Sequence, residues 1–433
     1  VSVGTVNGYG SVVIDGVAYD DRQTAAVAEI EPGRDVAVEA LLGQRVEVAS
    51  DAAGVAKSLR VDAALAGAVT SIVNSTRFIV LGQTVELNPS AGKGPVTQFA
   101  GGYQSAADIA IADVVEVHGL IARRGPSIVV QATRVEKKPT LPAYLKVSGL
   151  VSGLIGSSGF QLGDLMVDAS SAIVLPADAG LANGQLVSVL ALPSALGSIG
   201  GTPTLTAAQL RIRTLPASKN GATLSGSIAS LDTMAHTFQL AGLSVSYANA
   251  VVTPAGAALA EGKYVRVRGR PLADGSLATD AVEVRDGTHQ PEAQLSGDIT
   301  AYDATTQTLT IRDVVVDASG AALSGCPMGG LALGLYAQVQ GAMAATRVIA
   351  TSLQCMAEPS GATVERLGTA TAVNPAAMSL VLTRSGAPDL TVTWTALTFF
   401  RALDPQALQG RAIAVEGTMV NGALVASKIK PSP

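Results

Sequence analysis

The sequence predicts an all-β protein, built as a tandem array of six small five-stranded OB-like β-barrels. Three observations lead to this prediction. One short phrase of alternating Val-like residues recurs six times along the 433 residues, and a second phrase recurs in step with it. No segment shows the 3.6-residue period of a long helix. Small β-sandwiches with the same number of strands are the alternative architecture.

The first phrase is a small residue, a polar residue, any residue, a Val-like residue, any residue and Val. Its copies recur at intervals of about 70 to 80 residues, a period that suits one small domain per repeat. The copies are Gly43–Val48, Ala112–Val117, Gly184–Val189, Gly262–Val267, Gly334–Val339 and Gly410–Val415. The second phrase, Gly-x-Val/Ile/Leu, opens each unit, from Gly4–Val6 in the first to its weakest copy, Gly368–Ala370, in the sixth.

Each unit is expected to contain five short strands, and the fourth unit shows them in order. Ala241-Gly242 predicts a tight turn between the second and third strands, and Asp274-Gly275 predicts a hairpin between the last two. A less regular connection, containing Pro254, separates the third strand from the fourth. The expected strands are Leu224–Ser230, Thr237–Leu240, Leu243–Tyr247, Tyr264–Gly269 and Leu277–Val284.

An OB-like barrel has three meander strands, then a connection, then a closing hairpin, and its closure leaves no exposed strand edge. The connection has room for one short helix, as in Glu39–Leu42 or Gln406–Leu408. In the sixth unit Asn421-Gly422 repeats the hairpin signal between Ala412–Val420 and Ala423–Ile429. The predicted units, numbered 1 to 6 below, are residues 1–62, 63–138, 143–214, 221–286, 292–357 and 362–431.

The small size of each unit predicts that the units hold one another. A unit of this length buries only about 60% of its unfolded surface, and aromatic residues make up only 3% of the chain. Pro residues in the linkers, such as Pro139 and Pro142 after unit 2, predict stiff connections. We therefore expect neighbouring units to pack on one another, as in one-dimensional repeat arrays.

The composition excludes several classes of protein. Hydrophobic residues make up 48% of the chain and charged residues 15%, so the chain is neither disordered nor a coiled coil. A net charge of −5 argues against nucleic acid as a partner, because phosphate binding needs a basic face. The uncharged stretch Ala179–Leu210 contains Pro193 and Pro203, so we predict no transmembrane segment.

The two cysteines, Cys326 and Cys355, predict a disulfide within unit 5. Their midpoint falls between Gln340 and Gly341, where the last hairpin of the unit is expected to turn, and such a turn places them nearly opposite each other. A disulfide indicates an oxidising compartment, and therefore export. Two buried free thiols are the alternative.

No other group of residues predicts chemistry. The histidines His118, His236 and His289 fall in three units at three different repeat positions, whereas a zinc site needs convergent ligands. Asp15, Asp20 and Asp21 lie around the first hairpin, and Asp313 and Asp317 flank a strand; turn chemistry explains most of these, because Asp bonds its own backbone there. No nucleophile elbow, phosphate loop or dinucleotide fingerprint is present. We therefore expect no catalytic residues, no metal and no cofactor, and predict that the protein is not an enzyme.

The segment Val3–Asp21 resembles the start of a DUF5666 domain, a domain family of unknown function. Leu42–Val48 resembles the fourth-strand phrase of the same family, and the likeness is weaker in the other five units. The resemblance implies a bacterial, exported protein of the cell envelope, often anchored by a lipid on a Cys upstream of the repeats. It implies no catalytic residues.

These observations favour a non-enzymatic structural or scaffold protein of the cell envelope or surface, including a subunit of an extracellular assembly or filament. Its expected location is the outer membrane surface, the periplasm or the extracellular space. Its expected partners are copies of itself or other envelope and surface proteins, without nucleic acid. The alternative is a cell-surface module that binds a glycan, a peptide or a protein partner at unit junctions.

Overall fold

The chain is almost entirely β-structure in a computed structural model. The structure describes residues 1–90, 92–124, 127–177, 179–213, 221–272, 275–285, 293–385 and 387–432. Within these ranges the only helices are three 3₁₀ turns, at Ala106–Asp108, Pro193–Ala195 and Pro405–Ala407. The all-β prediction is confirmed.

Among the residues that the structure describes, the first two predicted units contain thirteen strands. Unit 1 has β1 (Ser2–Tyr9), β2 (Val12–Ile14), β3 (Val17–Tyr19), β4 (Ala26–Glu31), β5 (Arg34–Val38), β6 (Arg45–Ser50) and β7 (Ala56–Val61). Unit 2 has β8 (Leu65–Asn74), β9 (Arg77–Val80), β10 (Gln83–Leu87), β11 (Gln98–Ala100), β12 (Val114–Arg124) and β13 (Ser127–Lys137).

The next two predicted units contain sixteen strands in the described residues. Unit 3 has β14 (Leu145–Leu150), β15 (Ser152–Ile155), β16 (Gly159–Leu162), β17 (Leu165–Asp168), β18 (Ile173–Leu175), β19 (Leu186–Ala191), β20 (Leu196–Ile199), β21 (Thr202–Thr206) and β22 (Gln209–Ile212). Unit 4 has β23 (Ala222–Ser227), β24 (Ala229–Asp232), β25 (Thr237–Leu240), β26 (Leu243–Ser246), β27 (Val251–Thr253), β28 (Tyr264–Pro271) and β29 (Leu277–Val284).

The last two predicted units contain twelve strands in the described residues. Unit 5 has β30 (Ala293–Asp303), β31 (Thr308–Ile311), β32 (Val314–Asp317), β33 (Ala322–Ser324), β34 (Tyr336–Met343) and β35 (Val348–Met356). Unit 6 has β36 (Thr363–Asn374), β37 (Ser379–Thr383), β38 (Leu390–Thr393), β39 (Phe399–Phe400), β40 (Ala412–Val420) and β41 (Ala423–Pro431).

The strands of residues 222–284 pair in a closed circle. β23 pairs with β28, and β28 pairs with β29, both antiparallel. β24, which follows β23 in the chain after one residue, pairs antiparallel with β25. β25 continues to β26, and β26 closes the circle by pairing in parallel with β29. Phe238, Leu240 and Val245 alternate with polar residues and point into the core, each 2% exposed or less. This segment is a small barrel-like sheet, and not a two-sheet sandwich.

The same circle of pairs occurs around β8, β30 and β36. The strands are counted here as the five strands of the expected barrel, without the short strand in the connection. In each case the first strand pairs with the fourth, the fourth pairs with the fifth, and the third pairs in parallel with the fifth. The Asn421-Gly422 hairpin is confirmed, because Val420 pairs with Ala423 and both turn residues have positive φ. Asp274, the first residue of the other predicted hairpin turn, lies outside the described residues.

The connection between the third and fourth strands differs from the expectation. Glu39–Leu42 is not a helix, and only the 3₁₀ turn at Pro405–Ala407 overlaps a predicted helical segment. In all six predicted units the connection instead holds a short strand that pairs in parallel with the last strand of its unit: β4, β11, β18, β27, β33 or β39. These strands have two to six residues and bring the connection onto the barrel wall.

The buried apolar side chains form four clusters, and two of them cross unit boundaries. One cluster joins units 2 and 3, and another joins unit 1 to unit 5. A one-dimensional array would pair only neighbours in sequence, so this part of the expectation was wrong. Unit 1 packs on units that are distant from it in the chain.

Strand β1 makes the long-range contacts of unit 1. Its Ser2 and Val3 pair in parallel with Thr223 and Leu224 of β23. Further along, Gly8 and Tyr9 pair in parallel with the start of β30. A third inter-unit pairing joins β8 to β14. Backbone hydrogen bonds therefore connect unit 1 directly to units 4 and 5, as well as unit 2 to unit 3.

Candidate functional site at the junction of units 1, 5 and 6

A large cavity lies between units 1, 5 and 6, with a volume of about 700 Å³. Its wall combines apolar side chains with charged ones. We call it the junction cavity. The lining side chains include Tyr9, Val12, Asp21, Ala37, Glu39, Leu59, Arg312, Asp313, Leu397, Phe399, Glu416, Val425 and Lys428.

The charged part of the wall comes from tight turns and strand ends. Glu39 directly follows β5, and Arg312 and Asp313 form the two-residue turn between β31 and β32. Glu416 and Lys428 lie on the paired strands β40 and β41, directly opposite each other. These elements belong to three different units, so the site exists only where the units meet.

Ion pairs connect these groups into one network. Arg312 donates a hydrogen bond to Glu416 Oε1. The Lys428 Nζ lies 3.0 Å from Glu39 Oε1 and 3.1 Å from Glu416 Oε2. The Arg312 guanidinium also lies over the Tyr9 ring, 5.2 Å from its centroid. Neither Glu39 Oε1 nor Glu416 Oε2 accepts a hydrogen bond of good geometry, although the lysine charge is close to both.

The pKa shifts follow from burial and from these neighbours. Burial opposes ionisation of Glu416, but Arg312 and Lys428 outweigh it and hold the pKa of Glu416 far below its usual range. Burial opposes the charge of Lys428 too, but Glu416 and Glu39 raise its pKa. Burial raises the pKa of Tyr9 to about 12. The network therefore holds permanent charges of both signs.

Three segments of the chain match the sequence model of DUF5666, a domain of unknown function: residues 66–136, 225–283 and 368–430. This is a DUF5666 domain-containing protein. The matches fall on units 2, 4 and 6, whereas unit 1, whose opening was expected to be the clearest copy, lies outside them. The expectation that unit 1 is the best copy was therefore wrong.

Two other comparisons add no functional information. A solved structure described as drosophila Unr CSD456 is similar over 48% of this chain and 96% of that chain, at 10% sequence identity and a TM-score of 0.15. No curated protein matches the DUF5666 protein.

The predicted disulfide is present in the DUF5666 protein, but for a different geometric reason. Cys326 and Cys355 are joined, with Cα atoms 4.7 Å apart. The β34–β35 hairpin turns beyond Met343, and not at Gln340-Gly341, so Cys355 lies opposite Ala337. Cys326 reaches it because β33, just before it, pairs in parallel with β35. The bridge therefore fastens the connecting segment to the barrel wall.

A second cavity of about 340 Å³ lies between units 1 and 3 of the DUF5666 protein. Lys146 lines it, and burial lowers the pKa of this lysine to about 8. Its ammonium donates a 2.6 Å hydrogen bond to Asp62, which also pairs with Arg213. Glu29 of unit 1 accepts hydrogen bonds from Arg211 of unit 3. These pairs connect the two units.

The histidines of the DUF5666 protein do not converge. His118 is fully buried, its Nδ1 lies 3.3 Å from the backbone nitrogen of Arg45, and burial lowers its pKa. His236 lies in a turn of unit 4 beside Tyr247, and His289 lies outside the described residues. The described part of the chain holds no group of three or more His, Cys, Asp or Glu arranged for a metal ion. In the same part, no helix is long and apolar enough to cross a membrane.

The sequence analysis gave binding at unit junctions as an alternative but did not identify the junction cavity of the DUF5666 protein, although one signal pointed to it. The turn between the second and third strands contains Gly in units 1 to 4, as in Asp15-Gly16 and Leu81-Gly82. In unit 5 it is Arg312-Asp313, and both residues have positive φ, 49° and 65°. The first position has positive φ without Gly in units 1, 2 and 4 too, so the departure in unit 5 is Asp313, which stands where those turns have Gly. The left-handed conformation costs more without Gly, and strained residues cluster at functional sites. The missing Gly therefore marks a position where side chains are needed.

Proposed function

We propose that this DUF5666 protein is a non-enzymatic scaffold of the bacterial cell envelope or surface, built from six OB-like barrels at the predicted boundaries. It acts by presenting a rigid body to copies of itself or to other surface proteins, including as a subunit of an extracellular assembly. An upstream lipid anchor would attach it to the outer membrane surface.

The observation that carries this proposal is the way β1 joins distant units. It pairs with β23 at one end and with β30 at the other, so one strand connects units 1, 4 and 5 through backbone hydrogen bonds. The Tyr264 hydroxyl donates a 2.7 Å hydrogen bond to Asp15, which adds a side-chain contact between units 4 and 1. Backbone pairing resists bending better than a flexible linker does, and stiffness is what a scaffold requires.

The disulfide supports an exported location. Bridges of this kind persist in oxidising compartments and are rare in the reducing cytosol. The Cys326–Cys355 bridge fastens a connecting segment of unit 5 and does not lie in an exposed redox motif. A structural bridge suits a protein that must last outside the cytosol.

The assembly state of the native protein tests the scaffold proposal. Electron microscopy of protein isolated from its native compartment should show one rigid particle shape, arranged in ordered assemblies or filaments. Particles in which the units adopt many relative orientations would contradict the proposal.

The alternative is a surface module that binds a glycan, a peptide or a protein partner at unit junctions. The junction cavity favours it, because about 700 Å³ is within the usual range of ligand sites. A discrete monomer that is recovered with an occupied cavity, and never in assemblies, would favour this alternative over the scaffold.

A further inference from the structure

We propose that the junction cavity binds a small organic cation that carries an apolar chain, with the carboxylate of Asp21 as the partner of the cationic group. This inference goes beyond the scaffold role and does not depend on it.

The charged side chains of the cavity wall favour a cationic ligand over an anionic one. Each lysine or arginine of the network has a carboxylate within ion-pair distance: Arg312 pairs with Glu416, Arg401 with Glu39 and Asp313, Lys428 with Glu39 and Glu416, and Lys430 with Asp313 and Glu365. At the mouth, Arg22 pairs with Asp20. An anion entering the cavity would therefore find the cations of the wall already paired.

Asp21 is the carboxylate of the cavity wall that has no ion-pair partner among the described residues. No lysine, arginine or histidine among the described residues lies within ion-pair distance of it. The carboxylate accepts backbone N–H groups alone, from Val12 at 3.3 Å and from Asp21 itself. Burial raises its pKa, and the more distant Arg312 opposes this only in part. A carboxylate in this position lacks the compensating charge that its neighbours have. A ligand cation would supply it.

The rest of the wall selects an apolar chain. Val12 and Leu59 contribute from unit 1, and Leu397, Phe399 and Val425 contribute from unit 6. An apolar surface beside one charged group fits an amphiphilic ligand. The apolar chain of the ligand is then removed from water, and its charged group pairs with the opposite charge of the wall.

The strained turn of unit 5 fits the same site. Arg312 and Asp313 hold positive φ without Gly, and their side chains engage Glu416, Tyr9 and Lys430. These contacts orient Arg312 toward Glu416 and leave Asp21 without a bonded cation. The turn therefore preserves the free carboxylate on which binding depends.

The test is isothermal titration calorimetry of the full chain with n-octylamine hydrochloride at pH 7.5, below the concentration at which the amine forms micelles. The matched anion n-octanoate and the neutral n-octanol serve as ligand controls. We expect the amine to bind with one site per chain and octanoate to give no saturable signal. Absence of saturable amine binding up to millimolar concentration, or equal binding of octanoate or octanol, would overturn the proposal.

Two substitutions locate the site. Asp21→Asn should weaken amine binding at least tenfold, whereas Asp280→Asn, an exposed carboxylate of unit 4, should leave it unchanged. Ala37→Phe fills the cavity from its exposed wall and should also abolish binding, which keeps the site testable if Asp21→Asn fails to fold. Amine binding that survives in a folded Asp21→Asn or Ala37→Phe protein would place the ligand elsewhere and refute the assignment.

Discussion

Glu416 is the residue at which the charges of units 1, 5 and 6 meet. Its side chain is 5% exposed and contacts Arg312 of unit 5, and it shares Lys428 with Glu39 of unit 1. A carboxylate removed from water to this extent is stable only beside compensating charges, and the same holds for its partners. Removing one charged side chain of the network therefore leaves the opposite charges of its partners buried and uncompensated.

We predict that Glu416→Gln destabilises the protein by about 3 to 5 kcal/mol, the usual cost of breaking a buried ion pair by removing one partner. Urea denaturation at pH 7 measures the loss. Asp280→Asn serves as the control, since the Asp280 side chain is 66% exposed and pairs with the exposed Arg268. A Glu416→Gln protein as stable as the control would show that the network does not hold the junction.

The depressed pKa of Glu416 also predicts a pH dependence. Because its pKa is lower in the folded protein than in the unfolded chain, its contribution to stability is complete above the unfolded pKa of about 4.3. This contribution declines as the pH falls below that value toward the folded pKa. We expect the difference in unfolding free energy between the native protein and Glu416→Gln to shrink between pH 5 and pH 3. A constant difference over this range would contradict the assignment.

The disulfide gives a third prediction at this scale. Its two cysteines lie 29 residues apart, and a loop of that length contributes about 3.6 kcal/mol in the chain-entropy model. Non-reducing mass spectrometry of protein from its native compartment should show Cys326 linked to Cys355, and reduction should lower the urea midpoint. Two freely alkylated thiols would contradict the bridge and weaken the case for export.

Among the elements, β1 requires a residue without a side chain at its contact with β30. Where it meets β30, a Cβ added to Gly8 would lie 2.1 Å from the carbonyl oxygen of Gln294. Two backbones can approach this closely only where one residue has no side chain. Gly8 is therefore needed for the pairing of units 1 and 5, and not for a turn.

We predict that Gly8→Ala destabilises the protein by about 1 to 3 kcal/mol, because β1 and β30 must move apart. The matched control is Gly180→Ala, where nothing lies within 4 Å of the added Cβ and φ is not in the left-handed region. Its effect should stay within about 0.5 kcal/mol. Thermal or urea unfolding of both variants makes the comparison, and equal stabilities would mean that the β1–β30 pairing contributes little.

The strands themselves were largely predictable from the sequence, because alternation and turn residues act locally. Asn421-Gly422 adopts the positive φ angles of the expected hairpin turn, and Phe238 points inward as its alternation requires. The short strands β27 and β33 were not predictable, because three residues are too few to show a period. The cysteine pairing came out right although its geometric argument was wrong, since β33 brings Cys326 to the wall.

At the scale of the whole molecule, unit 1 is the centre of the arrangement. Its β1 pairs with units 4 and 5, its Glu29 pairs with Arg211 of unit 3, and its Glu39 with Lys428 of unit 6. The Gly43 carbonyl accepts a 2.6 Å hydrogen bond from Thr133 of unit 2. Sequence periodicity could not predict this arrangement, because each contact joins residues far apart in the chain. The candidate cavity was missed for the same reason.

The central claim is that the units of this protein are stable because of their junctions. Unit 4 tests it most directly, because its core is built from Val, Leu and Ile with Phe238 as its one buried phenylalanine among the described residues, and its β23 rests on β1. The measurement is urea denaturation of residues 222–286 alone, beside the same unit within the full chain. We predict a much lower midpoint for the isolated unit, or no cooperative transition. Equal midpoints would contradict the claim and would mean that the units are independent domains on a string.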